Sequence, residues 1–132
     1  MPDRSRWWLA LVLVGACSER DRLTFPSEVP SDLKGPVTVI TTPADDTVLT
    51  AGDRFVLAGQ STDVDGVDTV YFDVTGDGVT HPPLYGVGAN TVDFGLPIPT
   101  TGKAGTTIVV RVHAVDIAGN QGDAVQRRLS VQ

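Results

Sequence analysis

The sequence predicts an all-β fold. Residues 37–132 contain eleven Asp and no Glu. Asp serves turns, where its short side chain bonds nearby backbone, whereas Glu serves helices. Val and Thr, whose branched side chains fit pleated strands, recur throughout this stretch. No 11-residue window repeats apolar residues at the helical period, and several stretches alternate instead.

Val37-Thr38-Val39-Ile40-Thr41 is the first strand, closed by Thr42-Pro43 and the turn Ala44-Asp45-Asp46, with Val48-Leu49 extending it before Ala51-Gly52-Asp53. Residues 55–60 follow, with Phe55 and Leu57 on one face and Val56 and Ala58 on the other. Asp63-Val64-Asp65-Gly66 then bends the chain. Residues 69–75 alternate, Val70, Phe72 and Val74 facing one way and Tyr71 and Asp73 the other. The middle, 79–105, is rich in Pro and Gly, and only residues 91–96 read as a strand there.

Residues 107–115 form the longest apolar run, with Ile108, Val110, Val112 and Ala114 on the core face and Arg111 and His113 opposite. A turn over 116–122 leads to a last strand in which Val125, Arg127, Leu129 and Val131 alternate with Gln126, Arg128 and Ser130. Strands every 8–15 residues with turn signals between them suggest an antiparallel sandwich of about seven strands. Ninety-six residues are one core's worth of chain. The domain's five Lys or Arg against eleven Asp leave it acidic, which disfavours nucleic acid and anionic headgroups.

Ahead of the domain, Arg4 and Arg6 precede an apolar run from Trp7 to Ala16. As a helix, ten residues span roughly 15 Å, too short for a bilayer core of about 30 Å. The run ends in Val14-Gly15-Ala16-Cys17, and Cys17 is the only cysteine of the chain. This pattern resembles the lipobox of bacterial lipoproteins, with Val14 where Leu is commoner. The resemblance implies a signal peptide over 1–16, removed before a diacylglycerol-modified Cys17, and a membrane-anchored envelope protein. The alternative is a plain secretory leader that leaves a free thiol. Ser18 at the second mature position implies outer-membrane sorting by the same resemblance. Residues 17–36 then form the lipidated Cys and a tether. The 19 residues after Cys17 are broken by Pro26, Pro30 and Pro36, reach at most about 65 Å, and average nearer 25 Å if flexible.

The domain also resembles bacterial Ig-like (cadherin or Big-type) domains. The matching residues are Pro43, Leu49, Gly52, Leu57, Asp63-Val64-Asp65-Gly66-Val67, Val70, Phe72 and Val74. They continue in Val112-His113-Ala114-Val115-Asp116-Ile117-Ala118-Gly119-Asn120. The match covers nearly all of 37–132 and is weakest over 79–105. It departs from antibody domains in lacking a core cysteine pair and a core Trp, so Phe72 would fill the central position. The resemblance implies an Ig-like sandwich acting as a structural, protein-interaction or adhesion module.

Chemistry-bearing residues are sparse. Asp63, Asp65 and Asp116, with Asp68 nearby, could offer hard oxygen ligands to calcium if their loops share one end. That would make the chain a calcium-stabilised carbohydrate or protein binder. However, the Gly of Asp63-Val64-Asp65-Gly66 comes too early for an EF-hand, and Asp116 also suits bonding to its own turn. His81 and His113 have no cysteine to complete a zinc site, and His113 reads as a surface residue. Ser61 and Ser130 lack a nucleophile setting, and Gly86-Val87-Gly88 lacks the Lys or helix of a phosphate loop. No enzyme activity and no cofactor beyond calcium are expected. The expected partners are the membrane, through Cys17, and an envelope protein or glycan. The contact surface would be an edge strand or the 79–105 segment, through Tyr85 and Phe94.

Overall fold

The computed structural model describes residues 33–132; the expected leader, Cys17 and most of the expected tether lie outside them. The described chain is all-β. It comprises β1 (Val37–Thr42), β2 (Thr47–Leu49), β3 (Phe55–Thr75), β4 (Leu84–Ile98), β5 (Thr107–Asp116) and β6 (Val125–Val131). The hydrogen-bonded order is β1-β3-β5-β6-β2, with β4 also along β3.

Two long strands make this one sheet into two layers. The first half of β3 pairs with β1, from Val37↔Thr62 to Thr42↔Ala58. The second half pairs with β5, from Val67↔Asp116 to Thr75↔Val109. β4 follows β3 through both halves, with a register shift between Thr62 and Val67. Phe94 pairs across with Gly59, and Phe72 lies thirteen residues further along β3. A straight strand would separate those positions by about 43 Å. Their rings instead meet edge-on, with centroids 5.5 Å apart. The ribbon therefore folds back on itself at residues 63–66. Gly66, at φ +102°, makes the bend, and the Gly88 carbonyl occupies the space a Cβ would need.

The layers close on an apolar core. Leu57, Val92, Phe94, Leu96 and Ile98 come from one layer, and Val70, Ile108, Val110, Val112, Ala114 and Leu129 from the other. The expected inward face of the 107–115 run is buried at all four positions. Thr38 and Ile40 of β1 point inward while Val37 and Val39 are exposed. The buried Thr38 hydroxyl is satisfied by that of Ser61, 2.9 Å away on the paired strand. Arg127 ties the layers together at one edge, donating from Nε to the Pro43 carbonyl at 3.0 Å and from Nη2 to the Ile40 carbonyl at 3.2 Å.

Several sequence expectations are corrected here. Among the described residues the strands number six, where about seven were expected, because the two long ones each serve both layers. Val48-Leu49 do not extend β1. They form β2, which runs parallel to β6 from Thr47↔Leu129 to Leu49↔Val131. The turn after Thr42 carries the chain to the other layer, so the sandwich is not purely antiparallel. The 79–105 segment holds a 15-residue strand, β4. Its Gly residues weaken any local strand signal, and pairing along β3 supplies what the local sequence lacks.

The registers also define two poles. At one, residues 33–37, 62–67, 87–91 and 116–124 converge, and the chain enters the domain there. At the other lie 43–54, 76–83 and 99–106, where the Thr100 hydroxyl donates to the Asp53 carbonyl at 2.5 Å and accepts from Gly52 N–H at 3.1 Å.

Candidate functional site

The two acidic loops do share a pole. The Ile117 N–H donates to the Gly66 carbonyl at 3.1 Å, which sets the Asp116 turn against the Asp63–Asp65 bend. Their carboxylates have separate employment. Asp63 Oδ1 accepts the Asp65 N–H at 2.8 Å, closing an Asx turn on the surface. Asp116 is buried at 1% exposure. Its Oδ1 accepts the Asn120 N–H at 2.8 Å and its Oδ2 the Asn120 side-chain amide at 2.8 Å. Burial works to raise the Asp116 pKa, but hydrogen bonds from Asn120, Ala118 and Gly119 outweigh it and hold the group below the ordinary 3.8. Among the described residues, no three His, Cys, Asp or Glu side chains gather as metal ligands would. Asp68 accepts from the hydroxyl of its neighbour Thr69 at 2.8 Å.

The remaining polar candidates are dispersed. Ser61 is buried against Thr38 at the entry pole, and Ser130 pairs with Thr107 toward the other. His113 is half-buried on the outer face, its ring stacked on Tyr71 with centroids 5.1 Å apart. His81 has a partner that sequence reasoning missed. Its Nε2 lies 2.6 Å from Oδ2 of the buried Asp77, whose Oδ1 accepts the Val79 N–H at 3.1 Å. The i, i+4 spacing was the available signal. The pair sits in the β3–β4 loop at the pole opposite Ser61 and braces that loop.

The most distinctive surface belongs to β4. It pairs with β3 alone, so among the described residues no strand covers its other edge. Tyr85 stands out from it at 70% exposure. Phe94, expected beside Tyr85 on a contact surface, is instead a core residue packed on Phe72, because the even-numbered positions of 92–98 face inward. The β4 bulge places Val87 at φ +54° with 92% of its surface exposed, a conformation that β-branched residues rarely adopt. Val64 and Ile117, in the two adjoining loops, are 77% and 61% exposed. The glycines flanking Val87 were the only hint in the sequence.

Next to these loops, Lys34, Gly35, Val37, Thr62, Asp63, Val64 and Asn90 line a shallow groove of about 550 Å³. The incoming chain is clasped here. A Cβ on Gly35 would collide with the Gln121–Gly122 backbone, and one on Gly122 with the Pro36 carbonyl. Only glycine lets the two segments approach so closely.

No protein-family model matches the sequence, and no curated protein matches it either. Solved structures do share its fold. The SrpA adhesin from Streptococcus sanguinis superposes with a TM-score of 0.53 at 14% identity, over 78% of this chain and 59% of that one. A point mutant of the same adhesin gives 0.55 at 15% identity, over 76% and 57%. The chain thus spans less than three fifths of the length of either. At such identities the likeness is one of fold, an all-β sandwich-like architecture also used by a bacterial adhesin.

Proposed function

We propose that this chain is an envelope lipoprotein whose Ig-like sandwich serves as an adhesion or protein-interaction module, tethered through a lipidated Cys17. The observation that carries the interaction role is the outer edge of β4, which no strand covers among the described residues, with Tyr85 beside it. A strand edge offers a row of backbone donors and acceptors that a partner's extended segment can pair with. Neighbouring side chains such as Tyr85 would then select the partner. Pro97, Asp93 and the bulge at Val87 interrupt that edge, which suits it to a short partner segment and guards against open-ended self-association. The fold likeness to an adhesin supports the reading, and the Val14-Gly15-Ala16-Cys17 motif supports the anchor and the envelope location.

Two measurements test it. Mass spectrometry of the native protein should find Cys17 at the amino terminus carrying a diacylglycerol thioether. An unmodified terminus overturns the anchor. A photo-crosslinking residue at Tyr85, in cells, should capture one discrete envelope species that the same residue at Thr41 does not. Equal or no capture at the two positions overturns the interaction edge.

A further inference from the structure

Building on the anchor reading above, we infer that the entry pole is a lipid-facing end, at which Val64, Val87 and Ile117 seat on a zwitterionic bilayer surface. Three separate loops deliver these side chains to one place. Ile117 N–H bonds the Gly66 carbonyl at 3.1 Å, and the Asn90 side-chain amide bonds the Val64 carbonyl at 2.8 Å. A Cβ built on Gly88 would meet Ile117 Cγ2 at 3.7 Å. The 63–66 bend of β3, the 87–90 bulge of β4 and the turn after Asp116 therefore form one apex, and each presents an exposed branched apolar residue from it. Isolated exposed aliphatics are ordinary; three converging from separate turns are not.

Val87 adds a second observation. A left-handed conformation at a branched residue persists only where the surroundings impose it. Here the bulge imposes it and turns the side chain outward. A fold that only needed to cross this bulge would be better served by glycine or asparagine.

Chain length identifies the occupant. Residue 33, an exposed leucine, begins the described structure at this same pole, clasped by the Gly35–Gly122 approach. Fifteen residues separate it from the Cys17 side, a reach of at most about 50 Å. The opposite pole lies a further strand length away, about 33 Å along the ten residues of β5. At its shorter average length the tether brings the entry pole to the bilayer more often than the far pole, so an acyl anchor at Cys17 favours contact through the apolar apex. Asp63, Asp65 and Asp123 share this pole and are repelled by anionic headgroups, which selects a zwitterionic surface.

The test uses full-length protein extracted from its own membranes and reconstituted into phosphatidylcholine vesicles. A thioether-linked Cys17 is unreactive, so Ile117→Cys gives a single thiol for an environment-sensitive dye, and Thr101→Cys at the far pole is the control. Co-flotation with vesicles reports the anchor, and dye emission with nitroxide-lipid quenching reports docking. Docking predicts blue-shifted emission and at least threefold stronger quenching at 117 than at 101, with the same result for Val64→Cys. Flotation with equal quenching at all three positions overturns the docking while leaving the anchor intact. Loss of flotation overturns the anchor and the docking with it.

Discussion

Asp116 and Asn120 hold one another twice, through the Asn120 backbone N–H and its side-chain amide, each 2.8 Å from a different carboxylate oxygen. The Asn120 carbonyl in turn accepts the Asp116 N–H at 3.0 Å. The turn that follows β5 is thereby fixed around a buried carboxylate, and it carries Ile117 outward on one side and the Gly122 clasp on the other.

Replacing Asp116 by Ala removes the buried carboxylate that accepts from Ala118, Gly119 and Asn120, and a loss of about 1–3 kcal/mol is expected in urea denaturation. The pH dependence follows from the lowered pKa. A carboxyl whose folded pKa lies below its unfolded value contributes stability that is present above the unfolded value, here the ordinary 3.8. That contribution is lost as pH falls through the folded value. The stability gap between wild type and Asp116→Asn should accordingly be constant near neutrality and narrow below pH 3.8. A gap unchanged down to the folded pKa would refute the assignment.

Gly122→Ala drives a methyl into the Pro36 carbonyl. Backbone on both sides must move, at a cost of about 1–3 kcal/mol, which for a domain of this size lowers Tm by at least 4 °C. Ala at Thr101, an exposed turn position, serves as the neutral comparison.

Phe72→Ala and Phe94→Ala remove the two halves of an edge-on aromatic contact between the layers. Phe94, the more buried, should lose about 3–5 kcal/mol. The double-mutant cycle should return a coupling of about 0.5–1.5 kcal/mol. Strict additivity would mean that the fold-back at residues 63–66 does not bring these rings together.

Val87→Gly relieves a left-handed β-branched residue and is expected to stabilise the domain by about 1 kcal/mol, strain relief exceeding the added chain entropy. The same change should weaken vesicle docking. Stability and surface binding would thus move in opposite directions at one position.

Because the Asp63 and Asp116 carboxylates are already bonded within their own turns, thermal melts in millimolar calcium and in chelator should agree within a degree. A calcium-dependent rise of several degrees would support the calcium-binder reading instead.

Some of this was legible in the linear chain. The alternation of Ile108, Val110, Val112 and Ala114 named a core strand, and the absence of Glu and of helical periodicity gave the all-β class. Asp116 was readable as a turn acceptor, because Asp followed by Gly-Asn bonds locally and owes little to distant residues. The 84–90 part of β4 was not legible, since its partner is β3 and glycines mute its own preference. Phe94 was misplaced because a lone aromatic among Pro and Gly does not announce its face; Gly59 opposite it makes the room.

The chain alone thus determined the architecture's class and its turn chemistry, both of which depend on near neighbours in sequence. Only the folded structure decided that β3 and β4 double back, that β2 joins β6 in parallel, and that Val64, Val87 and Ile117 gather at the pole where the chain enters. Those outcomes are set by contacts between residues tens of positions apart, and local periodicity carries no record of which distant segments meet.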